Sequence, residues 1–312
     1  MLRTVVIALL GVVPGWMLGI SASQAIADVV EPGDRVVFMG DSNTYAGHYV
    51  NEIAAQWKAR FPEQETEFIN CGLSSETACG LSEPAHPFPR PNAQERIDRV
   101  IEKLNPDVLV ICYGMNDGIY HPFDPLRFEA YQEGIRALVG KGREAGAKVI
   151  LLTPPPFDTP AVRKRGKLRP RDAGEFNWMT IYEGYDDVLK RYSQWILEQT
   201  SAVDQVIDIR TPFVEFLRER RQADSEYGMT GDGIHFNRDG HRVIAKEILR
   251  AWDMDLVEVP DSIRSKVEQS QFILRDSSLS HVGHQRPGVK PGLPWAEAQR
   301  RSSELLNSLE SP

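Results

Sequence analysis

The sequence predicts a three-layer α/β/α domain built on a five-stranded parallel sheet. Two observations predict it: five short, near-continuous apolar runs, and longer segments of helical period between them. A strand that is apolar along its whole length has to be covered on both faces, and parallel sheets sandwiched between helices are the common solution.

The apolar runs are residues 35–39, 66–70, 107–112, 148–152 and 205–209. Between them lie the helical segments 48–61, 92–104, 126–145 and 183–200, and 240–252 follows the last. Within 128–145, Ile135, Leu138 and Val139 recur at spacings of three and four, while Arg136, Lys141 and Arg143 can face water. Ala145-Gly146-Ala147 then ends that helix before the next strand. No repeat at a solenoid period is visible.

The chain has 312 residues, 41% hydrophobic and 26% charged, as a soluble globular protein does. Its net charge of −8 offers no basic surface for a phosphate backbone, so nucleic acid is not an expected partner. At the N-terminus, Arg3 precedes an almost wholly apolar stretch from Thr4 to Ile20, and Ala25-Ile26-Ala27 follows as an A-x-A cleavage site. That stretch is shorter than the ~20 residues of a spanning helix, which favours a cleaved signal over an anchor. Residues 1–27 are therefore read as a signal peptide, cleaved after Ala27, leaving a periplasmic or secreted protein with no stable membrane insertion.

Three cysteines make a poor disulfide framework for a chain of this length, so the core must do the stabilising. Cys112 sits inside an apolar run and reads as an inert buried thiol. Cys71 and Cys79 can close a small loop in an oxidising compartment, and spacing alone leaves the bridged and unbridged forms both open.

Two stretches depart from the alternation. Residues 153–180 form a long, Pro-rich, basic insertion where a strand-to-helix connection should be short. It reads either as a solvated loop or as a lid or anionic-substrate clamp beside a site. The extension 257–312 is polar and ends in a helix from Trp295; it either packs across the domain or is partly mobile. His281 and His284 within it have metal-ligand spacing but no nearby cysteine or acidic cluster, so no metal is expected there.

Open parallel sheets place ligands at the carboxyl ends of their strands. There the sequence has Gly40-Asp41-Ser42-Asn43, Asn70-Cys71-Gly72, Gly114-Met115-Asn116-Asp117 and, beyond the fifth strand, Asp232-Gly233-Ile234-His235. A serine hydroxyl is a poor nucleophile at neutral pH and needs a base, itself oriented by an acid. Asp232 and His235, three residues apart, can supply that pair. The backbone N–H groups of Ser42 and Gly72 and the Asn116 amide can then serve as donors to an oxyanion. Each element alone has an ordinary reading, Gly-Asp-Ser as a helix cap and Gly-Met-Asn-Asp as a turn. Their co-occurrence in chain order at the strand ends is what points to chemistry. Of the other histidines, His48, His86, His121 and His241 lack an acid at this offset after the last strand.

These four blocks resemble the GDSL/SGNH hydrolase family, over roughly residues 34–252. The resemblance implies a flavodoxin-like sheet in a domain spanning 28–256, with Ser42 as nucleophile, His235 as base and Asp232 as its orienting acid. It also implies an oxyanion hole from Ser42, Gly72 and Asn116, and no metal or organic cofactor. Asn43 stands where the family name has Leu, and Ser74-Ser75-Glu76 follows where many members have a second Gly. The expected activity is hydrolysis of carboxylic esters, small-molecule or polysaccharide, with short acyl groups on extracellular carbohydrate as the first choice and lysophospholipid or other lipid esters as the second. A non-catalytic carbohydrate-binding or envelope protein on the same fold is the alternative from another class; the intact set of five residues argues against it. Tyr45, Phe88, Tyr120, Phe157, Phe176 and Trp178 are the aromatic residues that can line a sugar or acyl site.

Overall fold

The computed structural model describes residues 29–309, so the expected signal segment 1–27 lies outside the described residues. In chain order the elements begin β1 (Arg35–Gly40), α1 (Ser42–Ala46), α2 (His48–Arg60), β2 (Glu67–Asn70), α3 (Ala93–Leu104), β3 (Val108–Cys112), α4 (Pro125–Glu144) and β4 (Lys148–Leu152). They continue with α5 (Thr159–Arg163), β5 (Leu168–Arg169), β6 (Ile181–Tyr182), α6 (Tyr185–Leu197), β7 (Gln205–Ile207), α7 (Arg210–Ala223), α8 (Arg238–Ala251), α9 (Asp261–Val282) and α10 (Trp295–Asn307).

The main sheet has the order β2-β1-β3-β4-β7, parallel throughout, with β5 and β6 forming a separate two-stranded ribbon. Side chains alternate across a strand, and the two faces carry separate cores. Val37, Met39, Ile69, Leu109 and Ile111 pack with α3, α4 and α6 on one side. Val36, Phe38, Phe68, Val108 and Val110 pack with α2, α7 and α8 on the other. Side chains cap two of the helices that cover the sheet: Asn92 accepts the Gln94 N–H at the start of α3, and Asp124 accepts from Leu126 and Arg127 ahead of Pro125 in α4.

The structure adds two long helices to those the sequence reading assigned. The connection after the fifth strand is a helix, α7, whose Phe213 and Leu217 face the core four residues apart. The polar extension contains a second helix, α9, twenty-two residues long, which lies along α2, β2 and α3 and carries α10 against it. Its inward face is built partly from serines: Ser278 Oγ donates to the Asn70 carbonyl at 3.0 Å, and Ser270 meets Ser302 at 2.6 Å. Those hydroxyls break the apolar period that would have announced the helix. The cysteines are all free: Cys71 faces Ser278 on α9, while the Cys79 thiol points at the Asp117 carbonyl. Cys112 is buried, as expected. No helix among the described residues is long and apolar enough to cross a membrane.

Candidate active site

In a sheet of this order the chain reverses its direction of growth between β1 and β3, and a crevice opens at their carboxyl ends. A cavity of about 350 Å³ lies there, lined by Ser42, Ser75, Asn116, Asp232 and His235 among others. A larger cavity of about 510 Å³ sits near the opposite strand ends, beside Arg35, Glu67 and Asp107, with no histidine or cysteine among its lining residues.

Asp232 and His235 are brought together as their spacing suggested. Nδ1 of His235 lies 2.8 Å from Oδ2 of Asp232, which leaves Nε2 as the nitrogen available to a reacting group. The other carboxylate oxygen accepts the backbone N–H groups of Ile234 and His235 and the Thr230 hydroxyl. Burial alone would raise the Asp232 pKa, but these hydrogen bonds hold it far below the usual carboxylate range. For His235 burial acts to lower the pKa, and the Asp232 carboxylate more than offsets it, so the imidazole titrates above its ordinary value. Gly233 turns the loop at φ +80°, where a Cβ would come within 2.3 Å of Val162.

Ser42 opens α1, with Asp41 as the cap whose side chain accepts the Asn43 N–H at 3.0 Å. Asn43, the departure from the family motif, clamps the serine turn to the histidine loop. Its Nδ2 donates to the Ile234 carbonyl at 3.0 Å and its Oδ1 accepts the Phe236 N–H at 3.3 Å, on either side of His235.

Gly72 does not reach the cavity, which corrects the sequence reading. Its N–H donates to Asn70 Oδ1 at 2.9 Å, and a Cβ there would lie 2.4 Å from the Tyr45 nitrogen, so this glycine serves close packing against α1. Three residues on, Ser75 lines the cavity with φ +69°, a left-handed conformation that costs a non-glycine residue about 1–2 kcal/mol. The backbone N–H groups of Ser42 and Ser75 have no acceptor among the described residues.

Asn116 is held at both ends of its amide. The Tyr120 hydroxyl donates to Oδ1 at 2.9 Å and Nδ2 donates one hydrogen to the Glu76 carbonyl at 3.1 Å, which leaves one N–H for the cavity. Tyr120 is in turn covered by the Arg90 guanidinium, 5.5 Å from its ring centroid. Arg90 also donates to the Ser75 carbonyl at 3.3 Å and forms a bidentate, fully buried pair with Glu83 at 2.6 and 2.7 Å. A second buried pair, Arg96 with Glu76, fixes the other side of the Ser75 loop. Asp117 organises the next loop by accepting from Ala78 and Cys79, and Asp41 beside Ser42 is raised to about 7, chiefly by burial.

His86 lines the cavity, whereas His48 and His241 pack edge-to-face away from it and His121 lies against Phe176. Of the aromatic residues singled out in the sequence, Phe88, Tyr120 and Trp178 line the cavity and Tyr45, Phe157 and Phe176 do not. The described residues contain no cluster of three or more His, Cys, Asp or Glu suited to a metal; His281 stacks on Trp295.

A model of the GDSL-like lipase/acylhydrolase family matches residues 38–243. Among solved structures, the chain is similar to BT4096, a gut microbial diltiazem-metabolizing enzyme, at 23% identity and TM-score 0.57, over 72% of this chain and 48% of that one, so it spans about half of that protein's length. It is also similar to LAE5, an alpha/beta hydrolase from the metagenome of Lake Arreo, Spain, at 23% identity and TM-score 0.52, over 72% of this chain and 98% of that one. Axe2, an acetylxylan esterase from Geobacillus stearothermophilus, aligns at 22% identity and TM-score 0.51, over 74% of this chain and all of that one. These likenesses establish the fold. No curated protein matches the sequence.

Proposed function

Because this chain belongs to the GDSL-like lipase/acylhydrolase family and is a carboxylic ester hydrolase, we propose that it removes short acyl groups, acetyl above all, from extracellular carbohydrate through an acyl-enzyme on Ser42. The observation that carries the mechanism is the convergence of Ser42, Asn116 and the hydrogen-bonded Asp232–His235 pair on one cavity. Ser42 Oγ attacks the ester carbonyl while Nε2 of His235 takes its proton, and Asp232 stabilises the imidazolium that forms. The oxyanion is held by the free Asn116 N–H and the backbone N–H groups of Ser42 and Ser75, with Ser75 in the role first assigned to Gly72. The alcohol leaves with the proton from His235, and water repeats the sequence to release the acid.

A short acyl group suits a cavity of about 350 Å³ whose mouth is polar and aromatic; the acetylxylan esterase activity of Axe2 is in keeping with it. Export through residues 1–27 belongs to the same proposal. The test is acetate release from acetylated xylan beside turnover of p-nitrophenyl acetate and octanoate. The reading expects release from the polysaccharide and loss of all turnover in a folded Ser42→Ala protein. A preference for octanoate with no acetate released from xylan would replace it with a lipid-esterase reading, and unchanged turnover in Ser42→Ala would refute the mechanism.

A further inference from the structure

The mouth of the Ser42 cavity is cationic in a protein whose net charge is −8. Arg165 and Lys167 reach it from the insertion and Arg286 from the C-terminal extension, two segments outside the four motif blocks. Among the lining residues the one carboxylate is Asp232, already bonded to His235. Arg90 also lines the cavity, but Glu83 neutralises it.

None of Arg165, Lys167 or Arg286 forms an ion pair among the described residues. The Lys167 ammonium lies 5.5 Å over the Trp178 ring and the Arg286 guanidinium 5.3 Å over Phe88. Arg286 spends two of its nitrogens on the Ser74 and Pro287 carbonyls, which fixes the side chain and leaves the third free. The Arg165 guanidinium passes beside Gly231, next to the acid of the pair. The insertion itself is held in place: the Asp158 N–H donates to the Gly233 carbonyl at 3.0 Å, and Arg221 grips the Asp158 carboxylate with two bonds of 2.8 Å. Charges of one sign gathered at a cleft with low-dielectric walls attract a ligand of the other sign.

We propose that the ester hydrolysed at Ser42 carries an anionic group, a carboxylate or a phosphate on its sugar, held by Arg165, Lys167 and Arg286 at the cavity mouth. The inference rests on the hydrolytic reading above and narrows its substrate class. Guanidinium forks suit either anion, and the Phe88 and Trp178 rings beneath Arg286 and Lys167 hold those cations at the site.

The experiment compares kcat/KM for acetyl esters of glucose, of glucuronic acid and of a glucose phosphate, which share a ring and differ in charge. The wild-type protein should favour at least one anionic ester over the neutral one by about tenfold or more, the scale of one or two well-placed charges. That preference should shrink as salt rises from about 0.02 to about 0.5 M. The anionic-to-neutral ratio should fall by about tenfold in the Arg165→Ala/Lys167→Ala protein, and Arg165→Lys/Lys167→Arg should restore most of it. The favoured anion names the source. Equal or better hydrolysis of the neutral ester, or a ratio indifferent to salt and to the double substitution, overturns the inference while ester hydrolysis stands. Failure to hydrolyse any of the three overturns this inference, and failure on p-nitrophenyl acetate and octanoate as well overturns the hydrolytic reading with it. The salt series needs no variant, so misfolding of the double substitution leaves the inference open to refutation.

Discussion

At the scale of single residues, Asn116 and its partner Tyr120 are where the geometry is most specific. The Tyr120 hydroxyl fixes which end of the amide faces the cavity. Tyr120→Phe should lower kcat by up to about tenfold with KM little changed, the value of one neutral hydrogen bond, as initial rates on p-nitrophenyl acetate will register. Asn116→Ala should cost about 10²–10³ in kcat. As the proposed base His235 has to be neutral, and Asp232 raises its pKa, so the acid limb of kcat/KM should have its midpoint above about 6.5; a limb well below that value contradicts the assignment. The meeting of Ser42, Asn116, Asp232 and His235 at one cavity was legible because the proposed chemistry demands their side chains at strand ends. Ser75 was not, because a serine's identity says nothing about where its backbone N–H points. Gly72 misled for the converse reason: its missing side chain answers the backbone of α1, not an oxyanion.

At the scale of elements, the strands and the helices α2, α3, α4, α6 and α8 follow their apolar periods closely. The structure adds α7, whose buried Phe213 and Leu217 lie four residues apart, and α9, whose buried serines hide it. The loop between β2 and α3 owes its order to polar pairs that no local pattern reveals, since Glu83 and Arg90 meet only once the loop has folded. Removing one member of a buried pair strands the other charge. Arg90→Ala should therefore destabilise the protein by about 3–5 kcal/mol in urea unfolding, and kcat should fall further than folding accounts for, because both Ser75 and Tyr120 lose their support.

At the scale of the whole molecule, the extension beyond the family match completes the domain, and it also supplies Arg286 to the cavity. Val267, Leu274, Leu279 and Val282 are buried on α9. At about 1.5–3 kcal/mol per side chain, their sum rivals the ~5–15 kcal/mol that holds a typical domain together. Truncation before Asp261 should leave a chain without a cooperative thermal transition. The buried acid near the nucleophile sets a second global property. Asp41 keeps its proton to about pH 7 in the fold, while an unfolded aspartic acid loses it near 3.9. Between those values the unfolded chain binds fewer protons, so this group makes stability fall as pH rises. Asp41→Asn should flatten that slope in denaturation series from pH 4 to 7, with its amide oxygen still able to cap α1. The catalytic expectations depend on one claim, that His235 and Asp232 activate Ser42 for covalent chemistry. Its most direct measurement is reaction with a fluorophosphonate followed by peptide mass spectrometry. The account predicts a single adduct at Ser42, formed far more slowly in a folded His235→Ala protein; no adduct, an adduct elsewhere, or labelling at an unchanged rate without His235 would contradict it.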